Sequence, residues 1–196
     1  MPSKTLRDLS ALDQTPASLA DSTLILIDIQ NTYTQGVMEL EGWEPALDRA
    51  AELLEQARAA GAKVIHVQHD GGPGSPYDLD AEVGRIHKKV APLAGEPVVT
   101  KQAPNAFHGT DLGELVDGAG NTDVVLAGFM THMCIAFTAQ GAFLRGNRPT
   151  VVADATATRA LRTDVAEVSA EQLHHSALAT IADLYGVVVP SAAFLG

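Results

Sequence analysis

The chain predicts a doubly wound α/β domain: three layers, with a six-stranded, mainly parallel sheet and helices on both faces. Two observations predict it. Short apolar runs alternate along the sequence with helical patterns, the signature of strands joined by crossover helices. The runs are mostly β-branched and lack polar alternation, as strands buried on both faces do. With 196 residues and 46% hydrophobic content, the chain can bury a substantial core. No internal repeat, low-complexity tract or linker interrupts it, so residues 1–196 read as one domain, with 1–20 as an N-terminal extension.

The first strand is "TLILID" at 23–28. A helix follows in "EPALDRAAELLEQARAAG": Pro45 is tolerated in a first turn, Leu47, Ala50, Leu54 and Ala57 form one stripe, and Gly61 stops it. "KVIHVQ" at 63–68 is the second strand. The connection from 69 to 96 is long, rich in Gly and Pro, and holds at most a short helix; such loops usually serve a site. "EPVVTK" at 96–101 is the third strand, and "TDLGELVDGAG" a crossover helix with Thr110 as its N-cap. The strand "DVVLAGF" at 123–129 leads into a helix over "THMCIAFTAQGAFLRG". "PTVVAD" at 149–154 is the fifth strand. Ser169 and Gln172 have capping-box spacing ahead of Leu173, Ala177, Ile181 and Leu184, and "GVVVP" at 186–190 closes the sheet.

Charge narrows the partners. Twenty-four acidic residues against thirteen basic ones give a net charge of −11, which disfavours nucleic acid and anionic membranes. The N-terminal stretch has no apolar run of signal-peptide length and no other segment approaches a membrane span, so a soluble, cytoplasmic protein is expected. The single cysteine cannot form an internal disulfide, and a reducing compartment would keep it as a thiol.

Ligands of open parallel sheets bind beyond the carboxyl ends of the strands, where strand order reverses. Three reactive side chains fall at such ends: Asp28, Lys101 and Cys134, the last near a helix start. Each alone has a structural reading, as turn former, solvated cation and buried apolar thiol. Together they point to nucleophilic chemistry. Lys101 and the helix N-terminus both favour a thiolate, so a lowered thiol pKa is expected.

The blocks "LILIDIQNTY", "TKQAPNAFHGTDL" and "GFMTHMCIAFTAQGAFLRG" leading into "VVADATATR" resemble the isochorismatase-like cysteine hydrolases, a family that includes nicotinamidases and N-carbamoylsarcosine amidases. The resemblance runs from about Thr23 to Pro190. It implies an Asp28–Lys101–Cys134 triad and a cis peptide between Phe129 and Met130. In the implied reaction Asp28 takes the thiol proton, Lys101 stabilises the thiolate and Cys134 attacks an acyl carbon. The backbone N–H groups of Met130 and Cys134 hold the oxyanion. Gln30, Tyr33, Phe107, Phe129, Thr131 and His132 are the pocket candidates. Trp43 and the loop around Tyr77 are placed over the ligand or against a neighbouring subunit.

Departures from the family pattern matter too. The Asp-x-His metal signature of nicotinamidases is missing after the second strand, where "HVQHDGGPG" stands. His66 and His69 are three apart and point to different strand faces, which suits no paired zinc site. His66 reads as a core residue, His87 and His108 as pocket-lining or solvated, and His174 and His175 as remote. No metal or cofactor is therefore expected. The reading is a cysteine-dependent hydrolase cleaving a C–N bond of a small amide, ureide, carbamoyl compound or lactam, assembled as a homo-oligomer. The alternatives are an isochorismatase-type vinyl-ether hydrolase, which needs only an acid, and a non-catalytic ligand-binding protein on the same scaffold.

Overall fold

A computed structural model describes residues 3–196. The five α-helices are α1 (Leu6–Leu9), α2 (Trp43–Ala59), α3 (Leu112–Ala119), α4 (Ala136–Leu144) and α5 (Ala170–Thr180). The strands are β1 (Ser22–Ile27), β2 (Lys63–His69), β3 (Val98–Lys101), β4 (Asp123–Phe129), β5 (Arg148–Ala157), β6 (Leu161–Arg162), β7 (Glu167–Val168) and β8 (Val187–Val189). Six of them form one sheet in the order β3-β2-β1-β4-β5-β8, and every pairing in it is parallel. β6 and β7 make a small antiparallel hairpin apart from it.

Alternate residues of β1 feed two cores. Leu24 and Leu26 pack with Leu47, Ala50, Leu53 and Leu54 of α2. Ile25 and Ile27 point the other way, toward Leu112 and Val116 of α3, Ile135 and Ala139 by α4, and Leu178 of α5. A strand buried on both faces has no polar side to show, which is why the runs look uniformly apolar.

Several boundaries differ from the sequence reading. α3 begins at Leu112 with Asp111, not Thr110, in the cap position; the Thr110 hydroxyl still accepts from the Leu112 amide at 3.3 Å while donating to the Ala106 carbonyl. The thiol-bearing segment opens with a π-helical turn, Thr131–Ile135, before α4 proper, a feature frequent at functional sites. The 69–96 connection carries two 3₁₀ turns, Glu82–Gly84 and Lys88–Val90. β2 runs one residue past the expected strand, to His69, in register with Lys101. The α5 capping box of Ser169 and Gln172 is present. The N-terminal extension packs back on the molecule: the Leu6 amide donates to Asp183 and Arg7 to the Leu184 carbonyl.

Candidate active site

After β1 the chain adds β2 and β3 on one side and then crosses to place β4 on the other. The carboxyl ends of β1 and β4 therefore flank the point where the winding reverses, the place an open parallel sheet offers to a ligand. Asp28 follows β1 directly, at φ 51°, a left-handed conformation that Asp tolerates better than most residues. Lys101 ends β3, two strands away, and its long side chain reaches past the end of β2. Cys134 sits in the π-helical turn after β4, and the Phe129–Met130 peptide before that turn is cis.

These elements bring the three expected residues together. Lys101 Nζ lies 2.7 Å from Asp28 Oδ2 and 3.3 Å from Cys134 Sγ. All three side chains are buried. Although the ion pair is close, neither carboxylate oxygen of Asp28 has a well-directed hydrogen bond among the described residues. A buried carboxylate left this short of donors is a competent proton acceptor.

Burial and mutual charge set the protonation states. Burial pushes the Asp28 carboxyl above the usual carboxylate range, against the pull of Lys101. Burial also pulls the Lys101 ammonium down, but Asp28 and Cys134 outweigh it and hold its pKa above the ordinary lysine value. The thiol corrects the sequence expectation. Burial, then the Asp28 charge, raise the Cys134 pKa to about 12, and the help of Lys101 does not offset them. The resting site is an Asp–Lys ion pair beside a neutral thiol.

The surrounding residues divide the pocket candidates. Tyr33 is buried, and its ring meets Phe129 edge-on at 5.7 Å. Its hydroxyl is 3.2 Å from that of Tyr77, so the long loop lies against the site. Burial, with Asp28 next, holds the Tyr33 phenol well above its ordinary value. His132 Nδ1 is 2.6 Å from the Thr158 hydroxyl, and Thr131 Oγ1 is 2.9 Å from His174 Nδ1. The last contact corrects the placement of His174 as remote: α5 turns it onto the site's flank, while His175 is exposed.

Two candidates do other work. Gln30 is fully buried, donating to the His69 and Gly84 carbonyls and accepting from the His69 amide; its polar atoms hold the loop rather than face a ligand. Phe107 lies under the Arg145 guanidinium, 5.3 Å from its ring centroid, at the far end of α4. Of the remaining histidines, His66 is buried and bonded to Glu96 at 3.0 Å. His87 caps a 3₁₀ turn and His108 is exposed. Trp43 opens α2 and packs against the core.

One histidine, weighed in the sequence only as a metal ligand, stands in the site in another role. His69 Nδ1 is 3.1 Å from Lys101 Nζ, and its ring meets that of Tyr77 at 4.8 Å. The available signal was its place at the end of a strand run, at the same sheet edge as Asp28 and Lys101. No group of three or more His, Cys, Asp or Glu suited to a metal ion occurs among the described residues, and no helix among them is long and apolar enough to cross a membrane.

The isochorismatase domain model matches residues 22–193, the whole six-stranded sheet and all of the site. The chain belongs to the isochorismatase family. A crystal structure of an isochorismatase from Pseudomonas putida KT2440 superposes with a TM-score of 0.94 at 37% identity, over 98% of this chain and 99% of that one. The secreted isochorismatase effector Isc1 of Verticillium dahliae is 36% identical over 94% of this chain and 96% of its own length. The ureidoacrylate amidohydrolase RutB of Methylobacterium radiotolerans is 28% identical over 89% of this chain and 78% of its own. This isochorismatase-family hydrolase thus has amidohydrolases among its relatives.

Proposed function

We propose that this hydrolase cleaves the C–N bond of a small amide, ureide, carbamoyl compound or lactam through a thioester on Cys134, with Asp28 and Lys101 completing the triad and no cofactor taking part. The observation that carries this reading is the buried thiol 3.3 Å from an ammonium that is itself 2.7 Å from a carboxylate short of donors. A vinyl ether needs only a proton delivered to carbon, and an acid suffices for that. An amide needs a nucleophile, a base and a cation in contact, and these three side chains are those groups.

The steps follow from the resting charges. As sulfur bonds to the acyl carbon, Asp28 takes the thiol proton, and Lys101 stabilises the charge that passes through sulfur. Backbone N–H groups of Met130 and Cys134 hold the tetrahedral oxyanion, worth roughly 3 kcal/mol per donor in comparable sites. Asp28 returns the proton to the departing nitrogen as the C–N bond breaks. Water then attacks the thioester, giving its proton to Asp28, and the C–S bond breaks as sulfur is reprotonated. Because the free thiol is held neutral, proton transfer and attack are coupled.

The test is a panel of small amides, ureides, carbamoyl compounds and lactams, read by released ammonia or amine. Turnover is expected for at least one class, with a covalent acyl adduct on Cys134 by mass spectrometry and none in Cys134→Ala. Undiminished hydrolysis by Cys134→Ala would overturn the thiol reading. Should that variant also hydrolyse isochorismate as the wild type does, the vinyl-ether reading takes its place.

A further inference from the structure

A lysine ammonium offers three N–H donors and no acceptor. Around Lys101 Nζ stand three acceptors: Asp28 Oδ2 at 2.7 Å, His69 Nδ1 at 3.1 Å and Cys134 Sγ at 3.3 Å. We propose that His69 is the positioning residue of this site: a neutral imidazole whose Nδ1 accepts one ammonium proton of Lys101 and so holds the cation between its ion-pair partner Asp28 and Cys134. The proposal rests on the thiol reading given above and adds to it a residue that the triad does not contain.

The tautomer follows from the partner. An ammonium only donates, so Nδ1 must carry its lone pair and the ring proton must sit on Nε2. The surroundings keep the ring in that state. Burial, then the Lys101 charge, lower the His69 pKa to about 4, against a smaller opposite push from Asp70. The other titratable group facing it is the Tyr77 phenol, across the 4.8 Å ring contact, and burial holds that phenol protonated. Lys101 approaches from β3, its partner in the sheet register.

The backbone beneath the ring is held from both sides. Gln30 accepts from the His69 amide at 2.8 Å and donates to its carbonyl at 2.9 Å, so the backbone that carries the imidazole cannot drift. Without an acceptor at Nδ1, the Lys101 side chain, fully buried, would hold a donor with no partner, at a desolvation cost. A four-carbon stem with several rotamers would then find other orientations for its charge. His69 therefore removes freedom from the one flexible member of the triad.

Two substitutions separate this role from simple packing against Tyr77. His69→Asn places a side-chain oxygen where Nδ1 stands and loses the ring. His69→Phe keeps the ring and loses the acceptor. The readout is the rate of iodoacetamide labelling of Cys134 across pH, which needs no substrate, with melting temperature as a check on folding. His69→Phe is expected to slow labelling about three- to tenfold, the worth of one hydrogen bond, while His69→Asn stays within about twofold of wild type. Wild-type labelling by His69→Phe, or labelling by His69→Asn as slow as by His69→Phe, overturns the proposal. Lys101→Met in the same series distinguishes the two levels: if it fails to slow labelling, the thiol–ammonium reading itself falls, whereas if it slows labelling and His69→Phe does not, only the role of His69 falls. Should either His69 variant not fold, a long-range proton–nitrogen correlation spectrum of the wild-type ring decides at neutral pH. A proton on Nε2 with bare Nδ1 is expected, and a proton on Nδ1 overturns the proposal.

Discussion

At the scale of single residues, the site is a competition between burial and two opposite charges. Asp28 raises the Cys134 pKa and Lys101 lowers it, so the two substitutions should move the thiol in opposite directions. Asp28→Asn removes the negative charge and leaves the cation, and Asn tolerates the left-handed backbone at this position. Its iodoacetamide labelling at neutral pH is expected to rise above wild type while amide turnover falls by about 10²–10⁴ for want of the base; slower labelling would show that Asp28 does not hold the thiol up. Lys101→Met should slow labelling. The sequence made Asp28, Lys101 and Cys134 legible because each ends or follows an apolar run. It did not reveal the thiol's pKa direction, since the two charges were readable but the depth of burial was not. The role of His69 escaped for a related reason: its contact depends on β2 and β3 pairing in register, which no single run discloses. Phe107 misled because closeness to a motif in sequence does not say which way a loop faces.

At the scale of elements, close backbone approach and one buried amide hold the site's parts in place. Gly128, in β4, has φ +125°, and a Cβ there would lie 2.0 Å from the Ile27 carbonyl oxygen of β1. Backbone cannot move aside as a side-chain end can, so Gly128→Ala is expected to cost roughly 3 kcal/mol or more, or to prevent folding. A wild-type urea midpoint would refute this. Gln30 plays the corresponding part for the long loop, joining the end of β2 to Gly84. Gln30→Ala strands buried backbone groups and should lower stability by at least about 2 kcal/mol in urea unfolding, with protease cleavage appearing between 70 and 84. The strands and α2 were legible because their patterns are long and consistent. The 3₁₀ turns of the loop were not, because two or three residues carry no periodicity and side chains distant in sequence hold them.

For the whole molecule, apolar runs revealed the six strands of the main sheet but neither their neighbours nor the short β6–β7 hairpin; the reversal between β1 and β4 comes from which face each crossover takes. Three groups should make stability fall as pH drops below neutrality, opposed in part by the Asp28 and Asp154 carboxyls, which burial raises. His69 titrates at about 4 in the fold against an ordinary 6.5, and burial likewise lowers His66. Glu96 is held at about 2, first by its bond to Arg58, against an ordinary 4.5. In each case the unfolded chain binds more protons across the window, so stability should fall as pH drops from 6.5 toward 2. Thermal melts should show this, and His69→Asn should flatten the upper part; an unchanged melting temperature from pH 7 to 4 would refute the assignment. Turnover is expected to survive EDTA, because the histidine that β2 brings to the site faces an ammonium and His66 is committed to Glu96; loss of activity restored by zinc would overturn that. The protonated thiol has one more consequence. Peroxide oxidises thiolates, not thiols, so a cysteine held neutral by the assembled sheet should resist conversion to the sulfenic and sulfinic acids for as long as the chain stays folded. Unfolding returns it to an ordinary cysteine, and hydrogen peroxide should therefore inactivate the protein much faster near its melting temperature than the rise in temperature alone explains.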